Sequence, residues 1–420
     1  MNSSQNVLLV FILFLPCNLI DMRRFFQFIF RIILYIFIIL IGILVAFYLM
    51  VPVYQFSGPV KFNGDQLYNP YENIDPSHWK KYNFQVQSKA WLGITDGRKN
   101  SNKLIDSTYT ALGFDHVTTS DYQKINYYGK EKSSFIPTYE HGYNMFKTHQ
   151  VCIDAKSVLW TDFILFQTKS MKQWVIDQLK HDCSLVALAH PFLWNGYTIN
   201  DMKYLTNYSL MEVLSGLFIS TEHWDAALTS GQVVWIIGSD DAHDVLHLGE
   251  VGRKFTLINS KNTEKKEIIN SLLAGKNYGI DYYSSEDTSI IEKATQLGQL
   301  AYLMNAELKG DTFSVVFSKK AREFKFIGEN GNVLKTVSNA KSAYYVIQPE
   351  DPYVRADVNF SYLYNIYLNP VIRYEGEFPK SLKTATIDTT ATLRLRIIYF
   401  LVILSLVFLY VKWKQRKAVK

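Results

Sequence analysis

The chain has 420 residues, of which 48% are hydrophobic and 20% charged, enough length for two or three domains. Its formal charge of +6 is unevenly spread: residues 1–51 hold +2 and residues 394–420 hold +7, which leaves −3 for everything between. A slightly acidic middle lacks the electrostatic footprint of a nucleic-acid binder, so no nucleic-acid partner is expected and the basic excess belongs to the two ends.

Residues 1–31 read as an N-terminal extension and a basic flank. The apolar run at 7–20 is short for a span, has no basic residues before it, and Leu15-Pro16 does not offer the small residues a lipoprotein signal needs before Cys17. Met22-Arg23-Arg24 is a better start, which makes residues 1–21 an upstream extension. Residues 32–51 are almost unbroken apolar residues without charge, a transmembrane helix. A Pro-, Asn- and Tyr-rich linker follows at 52–78. From 79 to 283, short apolar runs alternate with helically spaced stretches at 103–113, 171–179 and 224–228. That alternation predicts a parallel sheet or barrel, with Gly113 ending the first helix. Residues 284–301 are a polar connection. From 302 to 378 the period drops to two, at 313–317, 323–327 and 342–347, around the hairpin-like turn Glu329-Asn330-Gly331-Asn332. This predicts a small antiparallel β domain. A linker at 379–394 leads to a second transmembrane helix at 395–413 and a basic tail at 414–420.

Arg23, Arg24 and Arg31 precede the first span, and Lys412, Lys414, Arg416, Lys417 and Lys420 follow the second. The positive-inside rule then puts both termini in the cytoplasm, the protein in the cytoplasmic (inner) membrane, and the middle in the periplasm or exterior. Cys152 and Cys183 lie on strand-like runs and either pair in that oxidising compartment or stay buried as thiols. Cysteine spacing gives no zinc-finger signature.

Several apolar runs of the middle region end in ligand-type side chains. Val233-Val234-Trp235-Ile236-Ile237 leads into Gly238-Ser239-Asp240-Asp241-Ala242-His243. Asp241 and His243 bring an oxygen and an imidazole nitrogen to a strand C-terminus, where α/β barrels build their sites, and such donors suit zinc, manganese or iron. Taken alone, the segment reads equally well as a polar turn with Asp241 capping a helix. The pattern recurs: 184–189 ends in His190-Pro191, 135–139 ends in Glu140 with His149 close behind, and 115–120 ends in Asp121. The stretch 83–88 alternates like a strand and carries Gln85 and Gln87. His78, His116, His141, His181, His223 and His247 read as ordinary histidines. Phe84, Trp91 and Trp160 line a sugar or nucleobase pocket, or are core and rim.

Glu140, His149, His190-Pro191 and Asp241-Ala242-His243 resemble, in order and strand-end placement, the later motifs of the PHP (polymerase and histidinol phosphatase) family. Residues 84–97 resemble its first motif and Ser120-Asp121-Tyr122 its second, so the resemblance covers about 85–280, close to half of the chain. Asp351-Pro352-Tyr353-Val354-Arg355-Ala356 and Asn369-Pro370 resemble the β appendage of some PHP-like proteins. The resemblance implies a distorted seven-stranded β/α (TIM-like) barrel, up to three divalent metals at strand C-termini, and hydrolysis of a phosphate ester by a metal-bound water. The chain departs from the family in its first two motifs. The first is normally His-x-His, here Gln85-Val86-Gln87, and the second normally ends Ser-Asp-His, here at Tyr122. An amide is a poor ligand beside imidazole, and a phenol binds such metals well only when deprotonated, with a pKa of about 10.

By that resemblance Glu140, His149 and His190 still make a three-ligand site with an open position. Asp241 and His243 would help hold neighbouring metals but lack the first-motif histidines as co-ligands, with Asp96 and Glu212 as possible substitutes. Two-metal hydrolysis needs ions about 3.5–4 Å apart, so fewer than three ions of zinc, manganese or iron are expected, or none. Three functions follow: a membrane-anchored phosphoesterase with a reduced site, with His190, Asp241 and His243 essential to catalysis; a catalytically inactive PHP-like binding or scaffold module; or a membrane-complex subunit whose spans do the essential work. An external site favours phosphorylated small molecules or cell-envelope phosphates.

Overall fold

The structure is a computed structural model that describes residues 19–93, 95, 97–284 and 288–418. Cys17, most of the expected upstream extension and Asp96 lie outside the described residues. The chain divides into two compact units, one holding its two apolar ends and the other spanning Pro52–Leu401.

In the first unit, α1 (Leu19–Met50) is a 32-residue helix. The second unit opens with β1 (Tyr54–Phe56), β2 (Gln66–Tyr68) and β3 (Trp79–Asn83). Helix α2 (Asn102–Ala111) starts where Ser101 accepts the Leu104 N–H at 3.2 Å and stops before Gly113, whose φ of +75° suits a residue without Cβ. Then come β4 (His116–Val117), β5 (Thr138–His141), β6 (Gln150–Ala155), α3 (Lys169–Asp182), β7 (Cys183–Leu188), α4 (Ile199–Met202), β8 (Leu210–Ser215), β9 (Phe218–Ile219), α5 (Thr221–Thr229) and β10 (Trp235–Ser239). They are followed by β11 (Lys254–Asn259), α6 (Lys265–Leu273), β12 (Asn277–Tyr282) and α7 (Ile290–Gly298), the last within the polar connection expected at 284–301. The C-terminal part contributes β13 (Leu303–Lys309), β14 (Thr312–Ile327), β15 (Val333–Val346), β16 (Tyr353–Ser361), β17 (Tyr364–Leu368), β18 (Val371–Tyr374) and β19 (Ala385–Ile387). Helix α8 (Thr389–Ala418) ends the described chain.

The segments Met22–Met50 and Thr389–Lys417, 29 residues each, are long and apolar enough to cross a membrane, and their most apolar stretches reach mean hydropathies of 3.1 and 2.2. Within those most apolar stretches no side chain is buried.

Three sheets organise Pro52–Leu401. The six-stranded sheet runs β10-β8-β7-β6-β5 with β9 beside β8. Its β8 and β10 are buried along their whole length, which is why the run leading into β10 reads as continuously apolar, while β8 buries Glu212 among its apolar residues. The eleven-stranded sheet runs β13-β14-β16-β17-β12-β11-β3-β4, with β15 on β14 and β18 and β2 branching from β16. The third sheet pairs β1 with β19. Two expectations change. The six-stranded sheet is mixed, because β6 runs antiparallel to both β5 and β7. Among the described residues no closed barrel forms by continuous strand pairing; the two large sheets are linked by isolated bridges, Val86 to Ala242 and Tyr122 to Glu140. The antiparallel strands beyond 302 also continue the same sheet as β3, β11 and β12, since β17 pairs with β12 from Tyr278–Leu368 to Tyr282–Tyr364. The turn expected at 329–332 joins β14 to β15, with Asn330 at a φ of +57°. Cys152 and Cys183 are buried free thiols.

Candidate metal centre

The reversed direction of β6 builds the site. Glu140 lies near the end of β5 and His190 just beyond the end of β7. His149 directly precedes β6, and because β6 runs backwards its start sits where β5 and β7 finish. The Ala189 N–H donates to His149 O at 3.1 Å, which locks the two histidine-bearing segments together. Glu140, His149 and His190 are all buried, and one ligand atom from each lies within 4.8 Å of the others.

Within this cluster His149 Nδ1 donates to Glu140 Oε1 at 2.6 Å and His190 Nε2 approaches the same oxygen at 3.3 Å. Gln87 Nε2 donates to the other oxygen, Oε2, at 2.6 Å. Burial alone would push the Glu140 carboxyl up, but the His149 and His190 rings beside it outweigh that and hold it well below the usual carboxylate range. Burial pushes His149 down, toward the neutral ring. His190 goes the other way: burial lowers it, but hydrogen bonding to Glu140 and the charges of Asp241, Glu140 and Glu212 raise it to about 9.

Buried polar atoms without a protein partner surround the three side chains. They include His149 Nε2, His190 Nδ1, Gln87 Oε1 and Glu212 Oε1, and both ends of the Gln85 amide are likewise buried without a partner. Such groups are uncommon in folded proteins and call for a water, an ion or a functional reason. With the proton on Nδ1, the His149 lone pair sits on Nε2, an imidazole nitrogen presented to a cation. One carboxylate and two imidazoles suit zinc, manganese or iron, so the donor set fits a divalent metal. Backbone strain gathers here as well: His190 has a φ of +29° and Asp241 one of +49°, in a region non-glycine residues rarely adopt.

The other expected site residues divide. Asp241 and His243 stand 3.6 Å apart and largely buried, outside the three-residue cluster, although Asp241 lies close enough to raise His190 electrostatically. The Gln87 N–H donates to Ala242 O at 3.0 Å, so the glutamine segment runs beside the Asp241–His243 turn. Glu212 is buried and accepts the His190 N–H at 3.2 Å. Asp121 is a structural acid: its oxygens accept from Ser88 N and Ser88 Oγ at 2.8 Å and from Asn126 Nδ2 at 2.9 Å. Tyr122 bridges to Glu140 and sets its ring edge-on to His149, centroids 5.5 Å apart. Phe84 is core; Trp91 and Trp160 pair edge-to-face on the exposed rim, 5.8 Å between centroids. Two supporting residues were not singled out in the sequence. Gly142 has a φ of +128°, and a Cβ on it would lie 2.4 Å from His149 Cδ2. Asp240, next to the expected ligand Asp241, is the buried anchor of its turn. A glycine between two candidate ligands is a signal for the first, and nothing in the sequence separates Asp240 from Asp241.

No family model matches this chain, and no curated protein matches it. A solved structure that it resembles is a two-domain protein containing a predicted PHP-like metal-dependent phosphoesterase from Bacteroides vulgatus, with a TM-score of 0.36 and 13% identity over 77% of this chain and 100% of that one. A likeness that slight decides nothing about the chemistry of this site.

Proposed function

We propose that the chain is a membrane-anchored, PHP-like metal-dependent phosphoesterase whose site is reduced to one cation position held by Glu140, His149 and His190. The observation that carries this reading is the convergence of one carboxylate and two imidazoles, all buried, within 4.8 Å. Glu140, His149 and His190 would hold a divalent cation there, and the chemistry it would supply is Lewis-acid polarisation of a phosphoryl oxygen. Glu140 balances its charge and fixes the His149 ring through Nδ1. Asp241 and His243, at the edge of the site, would orient the ester. The ring of strands β3, β4, β5, β6, β7, β8 and β10 would be the distorted barrel, a reading supported by the Val86–Ala242 and Tyr122–Glu140 bridges. Helices α1 and α8 would span the cytoplasmic membrane and leave the site outside, facing phosphorylated small molecules or envelope phosphates.

One observation favours a second reading, a silent binding module. Gln87 occupies Glu140 Oε2, and Asp121 spends its oxygens on Ser88 and Asn126. The deciding experiment is metal content of the detergent-solubilised full chain after manganese or zinc loading, with phosphomonoester turnover and a His190→Ala control. Bound metal and turnover, both lost in the control, support the enzyme. A folded protein with neither supports the module.

A further inference from the structure

The loop that joins Glu140 to His149 exposes Met145 (59%) and Phe146 (51%). The Met145 N–H donates to Ile164 O at 2.9 Å, and Ile164, Leu165 and Phe166 are three consecutive large apolar residues that are also exposed. Single exposed hydrophobics are ordinary; a contiguous patch of five marks an interaction surface.

The place of this patch in the fold says what covers it. It runs straight into α3, whose Ser170 Oγ accepts the Tyr54 N–H at 3.1 Å and whose Asp177 accepts the Tyr54 hydroxyl at 2.9 Å. Lys169 stacks its ammonium 3.6 Å from the Tyr204 ring and faces Phe56. The patch is thereby fastened to β1. Tyr54 follows Met50, the last residue of α1, by four residues, at most about 15 Å of chain. The partner strand β19 ends at Ile387, two residues before α8, and Val53 N–H donates to Thr392 Oγ1 at 2.9 Å. Both apolar helices therefore connect to the ectodomain through the β1–β19 pair, and β1 is the strand that holds the patch. Its charge suits a headgroup layer too. Lys147 and Lys169 flank it, and Asp162, the acid between them on these loops, is buried and occupied by the Tyr143 N–H at 2.7 Å and the Asn144 amide at 3.1 Å. Apolar side chains bordered by lysines are the signature of interfacial insertion.

We propose that the loops carrying Met145, Phe146, Ile164, Leu165 and Phe166 insert into the headgroup region of the bilayer as a third attachment, which brings the Glu140–His149 loop to the lipid surface. The inference rests on the reading that α1 spans that bilayer. The test uses the full chain in a Cys17→Ser background, with a bimane probe at Leu165→Cys, at Met145→Cys as an independent second site, at Tyr362→Cys as a surface control and at Ile38→Cys within α1. Each is reconstituted in phosphatidylcholine–phosphatidylglycerol vesicles with and without brominated chains. The expected result is loss of fluorescence to brominated lipid at 38, 145 and 165 and none at 362. Quenching at 38 with 145 and 165 behaving like 362 overturns the docking and leaves the span standing. No quenching at 38 overturns the span, and the docking with it. A blue shift at 165 that follows protein concentration rather than lipid assigns the patch to a second copy and also overturns the proposal.

Discussion

Asp240 and Glu140 are both buried carboxylates at the ends of strands in one sheet, and they are treated in opposite ways. Asp240 is caged: its Oδ2 accepts from Gly252 N, Tyr109 OH and Asn83 Nδ2, each at 2.7 Å, and its Oδ1 from Arg253 N and Lys254 N at 2.8 Å. Glu140 faces one amide and two titratable rings, amid polar atoms that have no partner. A carboxylate filled by fixed donors holds the chain in place. One faced by titratable, half-satisfied groups leaves room for something that comes and goes. The sequence motif spans this difference, since Asp240 and Asp241 are neighbours and the first holds the turn whose strain the second carries.

The comparison breaks first at Asp240. Asp240→Ala leaves three backbone N–H groups and two side-chain donors buried without an acceptor, and should cost about 3–5 kcal/mol. The measurement is the urea midpoint of the full chain in detergent, read by tryptophan fluorescence. A loss under about 1 kcal/mol would mean that the cage is not what holds the turn.

Gly142→Ala acts on the Glu140 side. A side chain there must adopt a φ of +128° and displace His149, whose Cδ2 would lie 2.4 Å away. Destabilisation of about 2 kcal/mol is expected, together with weaker metal retention on dialysis. Unchanged metal affinity would separate His149 from the cation site.

Lys383 provides a buried cation to set beside the two acids. Its Nζ donates to Met202 O at 2.8 Å and Ser230 Oγ at 3.0 Å, and burial among neutral partners pulls its pKa down to about 7. The folded value lies below the unfolded one, so the stability tied to this group is present at high pH and lost as pH falls through about 7. Lys383→Met should be more stable than the parent at pH 6, with an advantage that shrinks by about 1.4 kcal/mol per pH unit above 7. An advantage that does not change with pH would mean the lysine stays protonated where it lies.

Much of this was legible in the residues. The apolar ends, the period-two stretches and the polar ends of the runs mark the two long helices, β14 and β15, and Glu140 and His190. What could not be read was strand direction. A short apolar run has the same composition whichever way it points, and His149 becomes a neighbour of Glu140 only because β6 runs antiparallel to both flanking strands. Nor does alternation in residues 302–378 reveal that those strands extend the sheet of β11 and β12, since pairing across 90 residues is set by packing rather than by local pattern. Asp121 was legible as a strand-end acid, yet Ser88 and Asn126 satisfy it, and only the fold brings them there.

The smallest expected effect tests the glutamines. Gln85 has no protein partner at either end of its amide, and Gln87 uses only its nitrogen, on Glu140. Replacing both by histidine exchanges buried amides for rings of similar size, so stability should move by no more than about 1 kcal/mol. The metal count should move more. If residues 85–87 occupy the place of a His-x-His motif, the double variant Gln85→His/Gln87→His adds imidazole ligands beside Glu140 and the Asp241–His243 turn, and elemental analysis should find an additional divalent ion per chain. It also removes the amide from Glu140 Oε2, the contact that favours a silent module. An unchanged metal count in a folded double variant would mean that this strand was not a ligand strand, and the cluster of Glu140, His149 and His190 would have to be understood without it.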